Sequence, residues 1–561
     1  YGLADDSEAY AEIWWPDYDF TTIMRWAWSA SRTIDYLYTL PDVNRDQIAL
    51  TGLSRNGKSA LWSAAYDERI KAVVPISGGT GGEHPFRYTS DKYNNETIEL
   101  LTRVRPHWLH PRLRFFVGRE HKLPVDQNSL MALVAPRGLM LTSSINEHAA
   151  DPWGIEQAYR SAKTVYDFLG AEENIAIDLR EGFHSPAAGD MERYLDFFDY
   201  IFERGDTEPR NKLYYDYTFS KWLGLSGEMI DPLDYQSKGI DDLLEGPDRE
   251  KIDNTERWEE KREEIRSRIN WGLGTEPPSM SPGSQPDYKR DVIGLPRVDD
   301  SVGSRAISFG RLYYPADAEG EPVDDDLPVL VYLHEYTYSI GFLRAGDIIN
   351  KFTEQGLAVY VFDQIGFGTR IEEGRLFYER FPRWSKMGRM AADVSWAIDE
   401  LASVDYLDHD NLFVGGYALG GTVSLYSAAL DDRIAGVISV AGFTPMRTDR
   451  NGKTAEGIYR YSHLHGLLPW LGFFAGNEGR IPYDYHEILA SIAPRPVLIV
   501  APTWDQYNSS EDVTGAVGAA AEVYQLYGAG DALHLENPED YNRLSSATKD
   551  FIMDWAIENL K

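Results

Sequence analysis

Cysteine is absent from this chain. Thiol nucleophiles, zinc–thiolate sites and disulfides are thereby excluded, while the compartment stays open because exported proteins need no disulfide. Positive charge is scarce: 55 Lys and Arg stand against 89 Asp and Glu, a formal net charge of −34. Such a surface repels nucleic acid and anionic membranes and suits a neutral small-molecule or polymer substrate. No run of about 18 apolar residues occurs, so nothing in the sequence reads as a transmembrane segment. The histidines show no H-E-x-x-H or comparable ligand spacing, and no metal or cofactor is implied. Residue 1 is Tyr rather than Met and no signal peptide is read there, so the expectation is a processed or incomplete chain.

What is present is a repeat. The 561 residues exceed one core, and 43% hydrophobic content marks a globular chain. Asp46-Gln-Ile-Ala-Leu-Thr-Gly-Leu-Ser54 is matched by Asp410-Asn-Leu-Phe-Val-Gly-Gly-Tyr-Ala418, and both continue into Ser-Ala-Ala. At the same spacing Asp67-Glu-Arg-Ile70 is matched by Asp431-Asp-Arg-Ile434. Further on, Ala135-Pro-Arg137 is matched by Ala493-Pro-Arg495, and Tyr166 to Ala171 by Tyr524 to Ala529. The chain reads as two copies of one fold. Residues 48–51, 72–76 and 138–142 read as buried strands. Ile23, Trp26, Ala27, Ala30, Ile34 and Leu37 have helical spacing. Strands alternating with helices predict mostly parallel sheets flanked by helices, an α/β class.

Gly52-Leu-Ser54-Arg-Asn-Gly57-Lys58 follows a strand and opens a helix. That is the setting of a nucleophile elbow, in which a sharp turn lifts Ser54 Oγ above the sheet and aims the next amide at a developing oxyanion. In the α/β-hydrolase order the acid comes next, then the base. His184 lies in the loop after residues 175–179, which read as the last strand, where an imidazole can reach the serine. The acid belongs after residue 142. Glu147 is preferred because the repeat sets Asp505 opposite it; Asp151, opposite Ser509, is the alternative.

Residues 327–333 and 357–362 read as strands well before Ala418, whereas only a loop and one helix precede Ser54. The expectation is therefore two tandem α/β-hydrolase domains, the first lacking its N-terminal strands. Residues 1–205 form the catalytic, N-terminally incomplete domain, 206–290 a helical and linker connection, and 291–561 the second domain. In the connection, 255–269 reads as a charged helix with Trp258, Ile265 and Ile269 apolar, and 275–286 as a Pro- and Ser-rich linker.

Gly52-Leu-Ser54-Arg55-Asn-Gly-Lys58 resembles the Gly-Cys-Ser-Arg-Asn-Gly-Lys elbow of glucuronoyl esterases. Also similar are Gly78-Gly-Thr-Gly-Gly82, Pro106-His-Trp108, Leu123-Pro-Val-Asp-Gln127 and Ala135-Pro-Arg137, so the resemblance spans roughly residues 20–205. It implies that Arg55 helps hold the oxyanion and that Lys58 contacts sugar hydroxyls. Trp108, Arg87 and His107 are candidates for the wall of a sugar site. The resemblance implies a serine esterase acting on polysaccharide esters, secreted or periplasmic. Departures stand at Leu53 for the elbow Cys, at Ser77 for an acid before the Gly-rich run, and at Ala149 for a Trp after the catalytic acid. Because of them, deacetylation, as by acetyl xylan esterases, is the alternative activity.

In the second copy the repeat sets Ala418 opposite Ser54, Asp505 opposite Glu147 and Asn542 opposite His184. Alanine carries no nucleophile and asparagine takes no proton at neutral pH. This domain is expected to be inactive and to scaffold or bind carbohydrate. It resembles the dienelactone-hydrolase and acetyl-esterase type at fold level only. His334-Glu335 sits where an oxyanion loop would be, and His534 falls within a strand.

Overall fold

A computed structural model describes residues 20–93, 95–147, 149–182, 184–246, 249–278, 295–337, 345–448 and 457–561. The chain divides into two compact units, Tyr1–Tyr215 and Asp216–Lys561. Among the described residues no helix is long and apolar enough to cross a membrane.

The first unit is built on a parallel sheet of β1 (Ala49–Leu53), β2 (Ala72–Ile76), β3 (Gly138–Leu141), β4 (Ile175–Asp178) and β5 (Asn211–Lys212), in that order. Strands β2, β3 and β4 are buried along their whole length, as helices on both faces require. On one face the helix Ala188–Ile201 sets Tyr194, Phe197 and Phe198 against Val74, Ile76, Met140 and Ala176. Each such aromatic contributes about 1.5–3 kcal/mol by leaving water. The helix Arg55–Tyr66 packs on β1 and β2. The helix Pro152–Phe168 starts where Asp151 caps it, with Pro at the first position.

Strand β4 is not the last strand, contrary to the sequence reading. The two-residue β5 pairs beside it, with Asn211 opposite Ile177. Asn211 and Lys212 are exposed and polar, so no hydrophobic pattern announces them; Asn211 is held by its Oδ1, which accepts from Ile177 N at 3.1 Å.

The second unit carries eight strands. In chain order they are β6 (Val302–Ile307), β7 (Gly310–Pro315), β8 (Leu327–Leu333), β9 (Ala358–Val361), β10 (Leu407–Tyr417), β11 (Gly436–Val440), β12 (Val497–Val500) and β13 (Leu533–Glu536). Across the sheet the order is β13-β12-β11-β10-β8-β9-β7-β6, with β7 antiparallel to β6 and β9 and the other pairings parallel. The crossover of β8 and β9 and the antiparallel second strand are the arrangement of an α/β-hydrolase sheet. Strands β10–β13 follow the same order as β1–β4. Among the described residues the first sheet has no counterpart of β6–β9.

The stretch 206–290 is divided between the units. Strand β5 belongs to the first, and residues from Asp216 on belong to the second. There the helix Thr255–Leu273 buries Trp258, Ile265 and Ile269, the apolar positions read from sequence. Arg262, also buried, donates to the Ser491 carbonyl at 2.9 Å and to Asp432 at 2.7 Å, fastening the helix to its own unit. Most of the Pro- and Ser-rich stretch, from residue 279, lies outside the described residues.

Candidate active site

Strand β1 ends at Leu53, and Ser54 turns the chain at φ 62°, ψ −127° before the helix Arg55–Tyr66. A side-chain-bearing residue in this region costs about 1–3 kcal/mol, and the surroundings must hold it there. Ser54 N donates to the Ile76 carbonyl at 2.8 Å, and the Ser54 carbonyl accepts from Gly57 N at 2.8 Å and Lys58 N at 3.1 Å. The turn closes only over glycines. A Cβ on Gly52 would sit 2.3 Å from the Asn56 carbonyl oxygen, and one on Gly57 2.9 Å from that of Ile76.

The loops after β3 and β4 are sewn together. Arg180 N donates to the Ser143 carbonyl at 3.0 Å, and Ile145 N to the Arg180 carbonyl at 2.9 Å. Ser144 Oγ donates to the Gly182 carbonyl. The buried Arg180 guanidinium donates to the His184 carbonyl at 2.7 Å and to Ser77 Oγ at 3.2 Å. This frame brings His184 Nδ1 to 2.6 Å from Glu147 Oε2, with Glu147 6% and His184 45% exposed at the side chain. The other oxygen, Glu147 Oε1, accepts from Ala149 N at 3.2 Å. A carboxylate at Nδ1 fixes the tautomer that leaves Nε2 free to accept. Among the described residues no hydrogen bond joins Ser54 Oγ to His184.

Asp151, the alternative acid, is committed elsewhere. Its Oδ1 caps the following helix through Gly154 N at 2.6 Å. Its Oδ2 lies 2.8 Å from His84 Nε2 and accepts from Asn95 Nδ2 at 2.8 Å.

Lys58 is buried, and its ammonium donates to the Thr80 carbonyl at 2.5 Å and reaches Glu96 at 3.5 Å. Burial lowers its pKa, against the pull of Glu96 and Glu83. Trp108 gathers three cations: Arg55 at 5.3 Å, Arg105 at 5.6 Å and Lys58 at 5.9 Å from its ring centre. The elbow residues Arg55 and Lys58 thus pack around the buried Trp108 ring. Glu83, which the sequence reading passed over, is fully buried after the Gly-rich run. Its Oε1 accepts from Gly78 N at 2.6 Å, and burial pushes its pKa up to about 8. A charged residue beside glycines carries no sign of burial, so the sequence gives no signal for it. Arg180, the other omission, could have been sought as the first residue after the run 175–179.

Arg87 is not gathered by Trp108. Its guanidinium donates to the Leu123 carbonyl and its amide to Asp126, the cap of the next helix. In the second unit Arg447 repeats both contacts, with the Ile481 carbonyl and with Asp484. A contact kept in both copies, one of which lacks a nucleophile, is architectural. The His107 carbonyl accepts from Thr22 N at 3.1 Å.

The second unit preserves the elbow geometry: Ala418 has φ 50° and ψ −108°, and its amide donates to the Val440 carbonyl at 2.8 Å. Asn542 Nδ2 donates to Asp505 Oδ2 at 2.8 Å, and Tyr417 OH donates to Asn542 Oδ1 at 2.6 Å. Burial raises the Asp505 pKa. His334 has both ring nitrogens engaged, Nδ1 with the Glu335 carbonyl at 2.6 Å and Nε2 accepting from Gln364 N at 2.9 Å. His534 lies in β13 with its ring 5.9 Å from that of Phe551.

Asp241, His486 and Glu487 of this unit have metal-compatible spacing. Arg447 stands between the two carboxylates, 3.1 Å from Asp241 and 2.9 Å from Glu487, and already supplies the positive charge.

Fold and elbow together are those of the α/β-hydrolase class. A family model described as "Glucuronyl esterase, fungi" matches residues 4–170 and 336–528, more than half of the chain. The chain belongs to the glucuronoyl esterase family. The two matched segments fall one on each copy, so the second copy shares this family likeness rather than resembling other hydrolase types at fold level only. Carbohydrate esterase MZ0003 from an unknown prokaryotic organism is 32% identical over 194 residues, 32% of this chain and 44% of that protein. The 4-O-methyl-glucuronoyl methylesterase of Hypocrea jecorina is 37% identical over 122 residues, 21% of this chain and 26% of that one. The chain therefore spans less than half the length of these relatives. A solved structure, a glucuronoyl esterase from Solibacter usitatus, aligns at 15% identity with a TM-score of 0.46, over 59% of this chain and 100% of that one.

Proposed function

We propose that the first unit hydrolyses uronic-acid esters of polysaccharides through Ser54, His184 and Glu147. The observation that carries this reading is the His184–Glu147 pair at 2.6 Å in the loops that follow the strands beside the elbow. His184 Nε2 takes the Ser54 proton as Oγ attacks the ester carbonyl. Glu147 holds the imidazole and balances the imidazolium. The Arg55 amide and guanidinium meet the charge that forms on the tetrahedral oxygen. Collapse expels the alcohol, protonated by His184; water, activated by the same imidazole, then releases the uronate and restores Ser54. Lys58 and Trp108 form the sugar-facing wall.

One observation favours the alternative, removal of acetyl groups with the same triad. Where relatives place a Trp, Ala149 lies under the Gly-rich loop: its carbonyl accepts from Thr80 N at 3.3 Å, and a Cβ on Gly79 would sit 2.9 Å from the Ala149 Cβ. The loop fills that side, leaving less apolar surface for a sugar ring. The deciding experiment offers a benzyl glucuronate ester and acetylated xylan to the protein and to Ser54→Ala. Benzyl alcohol release that disappears with Ser54 supports the uronoyl reading. Acetate alone would transfer it to deacetylation, and activity that survives Ser54→Ala would overturn both. The second unit, with Ala418, Asp505 and Asn542, is proposed to be non-catalytic.

A further inference from the structure

A cleft of about 400 Å³ opens in the second unit, lined by none of Ala418, Asp505 and Asn542. One wall is the helix Thr255–Leu273. While Trp258, Ile265 and Ile269 face the core, Glu264, Arg268 and Trp271 line the cleft at the i, i+4, i+7 spacing of one helical stripe. The remaining walls are Asp234, Tyr235, Gln236 and Lys238 on one side and Arg480 to Pro482 on the other. Trp271 keeps 36% of its surface exposed, and the Tyr235 ring centre lies 6.0 Å from its own.

In a protein of net charge −34, Lys238, Arg268 and Arg480 outnumber Asp234 and Glu264. Two of the cations are already paired: Lys238 with Asp241 at 3.1 Å, and Arg268 with Glu487 at 2.9 Å and Glu264 at 3.5 Å. Arg480 donates to the Tyr235 carbonyl, and among the described residues no carboxylate lies within ion-pair distance of it. An aromatic face beside a guanidinium without a counter-charge suits a ligand that is a flat-faced ring bearing a carboxylate.

We propose that this cleft binds an unesterified uronic acid residue of an acidic polysaccharide, its ring against Trp271 and its carboxylate on Arg480. The proposal rests on the carbohydrate-esterase reading of the first unit and extends it. A uronate ester is neutral, and its hydrolysis creates the anion this cleft attracts. The second unit thereby holds the chain to polymer that already carries free acid groups.

The test is calorimetric titration of the full chain with a glucuronic-acid-substituted xylo-oligosaccharide and with its unsubstituted counterpart. The acidic ligand is expected to bind about tenfold more tightly, and Trp271→Ala and Arg480→Gln each to weaken it by about tenfold. Arg480→Lys retains the charge and is expected to lose less than Arg480→Gln, which separates a charge role from misfolding. Isotherms unchanged in both Trp271→Ala and Arg480→Gln, or equal affinity for the two ligands, would overturn the proposal. Turnover of a small soluble ester reads the first unit separately, since Ser54 and His184 are untouched. Arg480-dependent binding in a chain with no esterase activity would sink the first reading and leave the cleft assigned.

Discussion

Asn542 stands to Asp505 as His184 stands to Glu147: a nitrogen donor 2.8 Å from a buried carboxylate in one unit and 2.6 Å in the other. The two elbows agree as closely, with φ 62° at Ser54 and 50° at Ala418. The carboxylate-to-nitrogen bond and the strained turn therefore persist in a copy that carries neither the serine nor the histidine. They belong to the architecture, and catalysis is a matter of which atoms the architecture carries.

Ser54→Ala is accordingly expected to remove ester hydrolysis, by at least about 10⁴-fold. It should leave unfolding free energy within about 0.5 kcal/mol. The fold already accommodates alanine at this dihedral angle, at Ala418. Steady-state kinetics beside thermal melting tests both halves. A large loss of stability would mean that Ser54 Oγ does structural work which its contacts do not show.

Glu147 and Asp151 are separable by readout. Glu147→Gln keeps the shape and loses the charge behind His184, so kcat is expected to fall by about 10²–10⁴-fold with little change in melting. Asp151→Ala removes a helix cap and a buried partner of His84 and Asn95. Its expected cost is about 2–4 kcal/mol of stability, with activity tracking the folded fraction. The reverse pattern would make Asp151 the acid.

The Glu83 carboxyl supplies a pH dependence. Its pKa, raised by burial to about 8 from 4.5, means that the folded chain retains a proton the unfolded chain has released. Stability from this group is full below the unfolded value, declines as pH rises between about 4.5 and 8, and is flat above. Glu83→Gln keeps the bond from Gly78 N and has no proton to lose. The difference in stability between variant and wild type should shift toward the variant across that window. A difference that does not change with pH would show that Glu83 is charged in the folded state.

Much of this was legible in the sequence because it was written twice. Strands β1–β4 were readable from runs such as Ala72–Ile76, and Glu147 could be preferred over Asp151 because Asp505 and Ser509 stand opposite them. The antiparallel pair β6 and β7 escaped, since Gly303, Arg305 and Arg311 break any apolar run and their pairing is a matter of hairpin register. Arg87 was legible as a basic residue near the resemblance motifs but not as a brace. Only its counterpart Arg447, bonded to the Ile481 carbonyl as Arg87 is to that of Leu123, reveals the role. Burial of Glu83 and the span of Arg180 from Ser77 to His184 depend on how distant loops close, which local pattern does not encode.

Restoring the missing atoms to the second unit tests whether triad chemistry alone suffices. In a Ser54→Ala background, Ala418→Ser with Asn542→His rebuilds a serine, an imidazole and the Asp505 carboxylate on a preserved frame. Activity is expected to stay at the Ser54→Ala background even so. Tyr417 OH now donates to Asn542 Oδ1 from the residue before the elbow, where the first unit has Leu53, and it would crowd the new imidazole. Leu419 stands where the first unit has Arg55, the proposed oxyanion partner, and Thr422, which donates to the Gly442 carbonyl, stands where it has Lys58. Without the guanidinium the tetrahedral oxygen loses charge stabilisation of about 3–4 kcal/mol, comparable to removal of one oxyanion-hole donor. Adding Tyr417→Leu and Leu419→Arg should then raise turnover above background. Turnover already restored by the two triad substitutions would show that Arg55 and its neighbours matter little to the reaction in the first unit either.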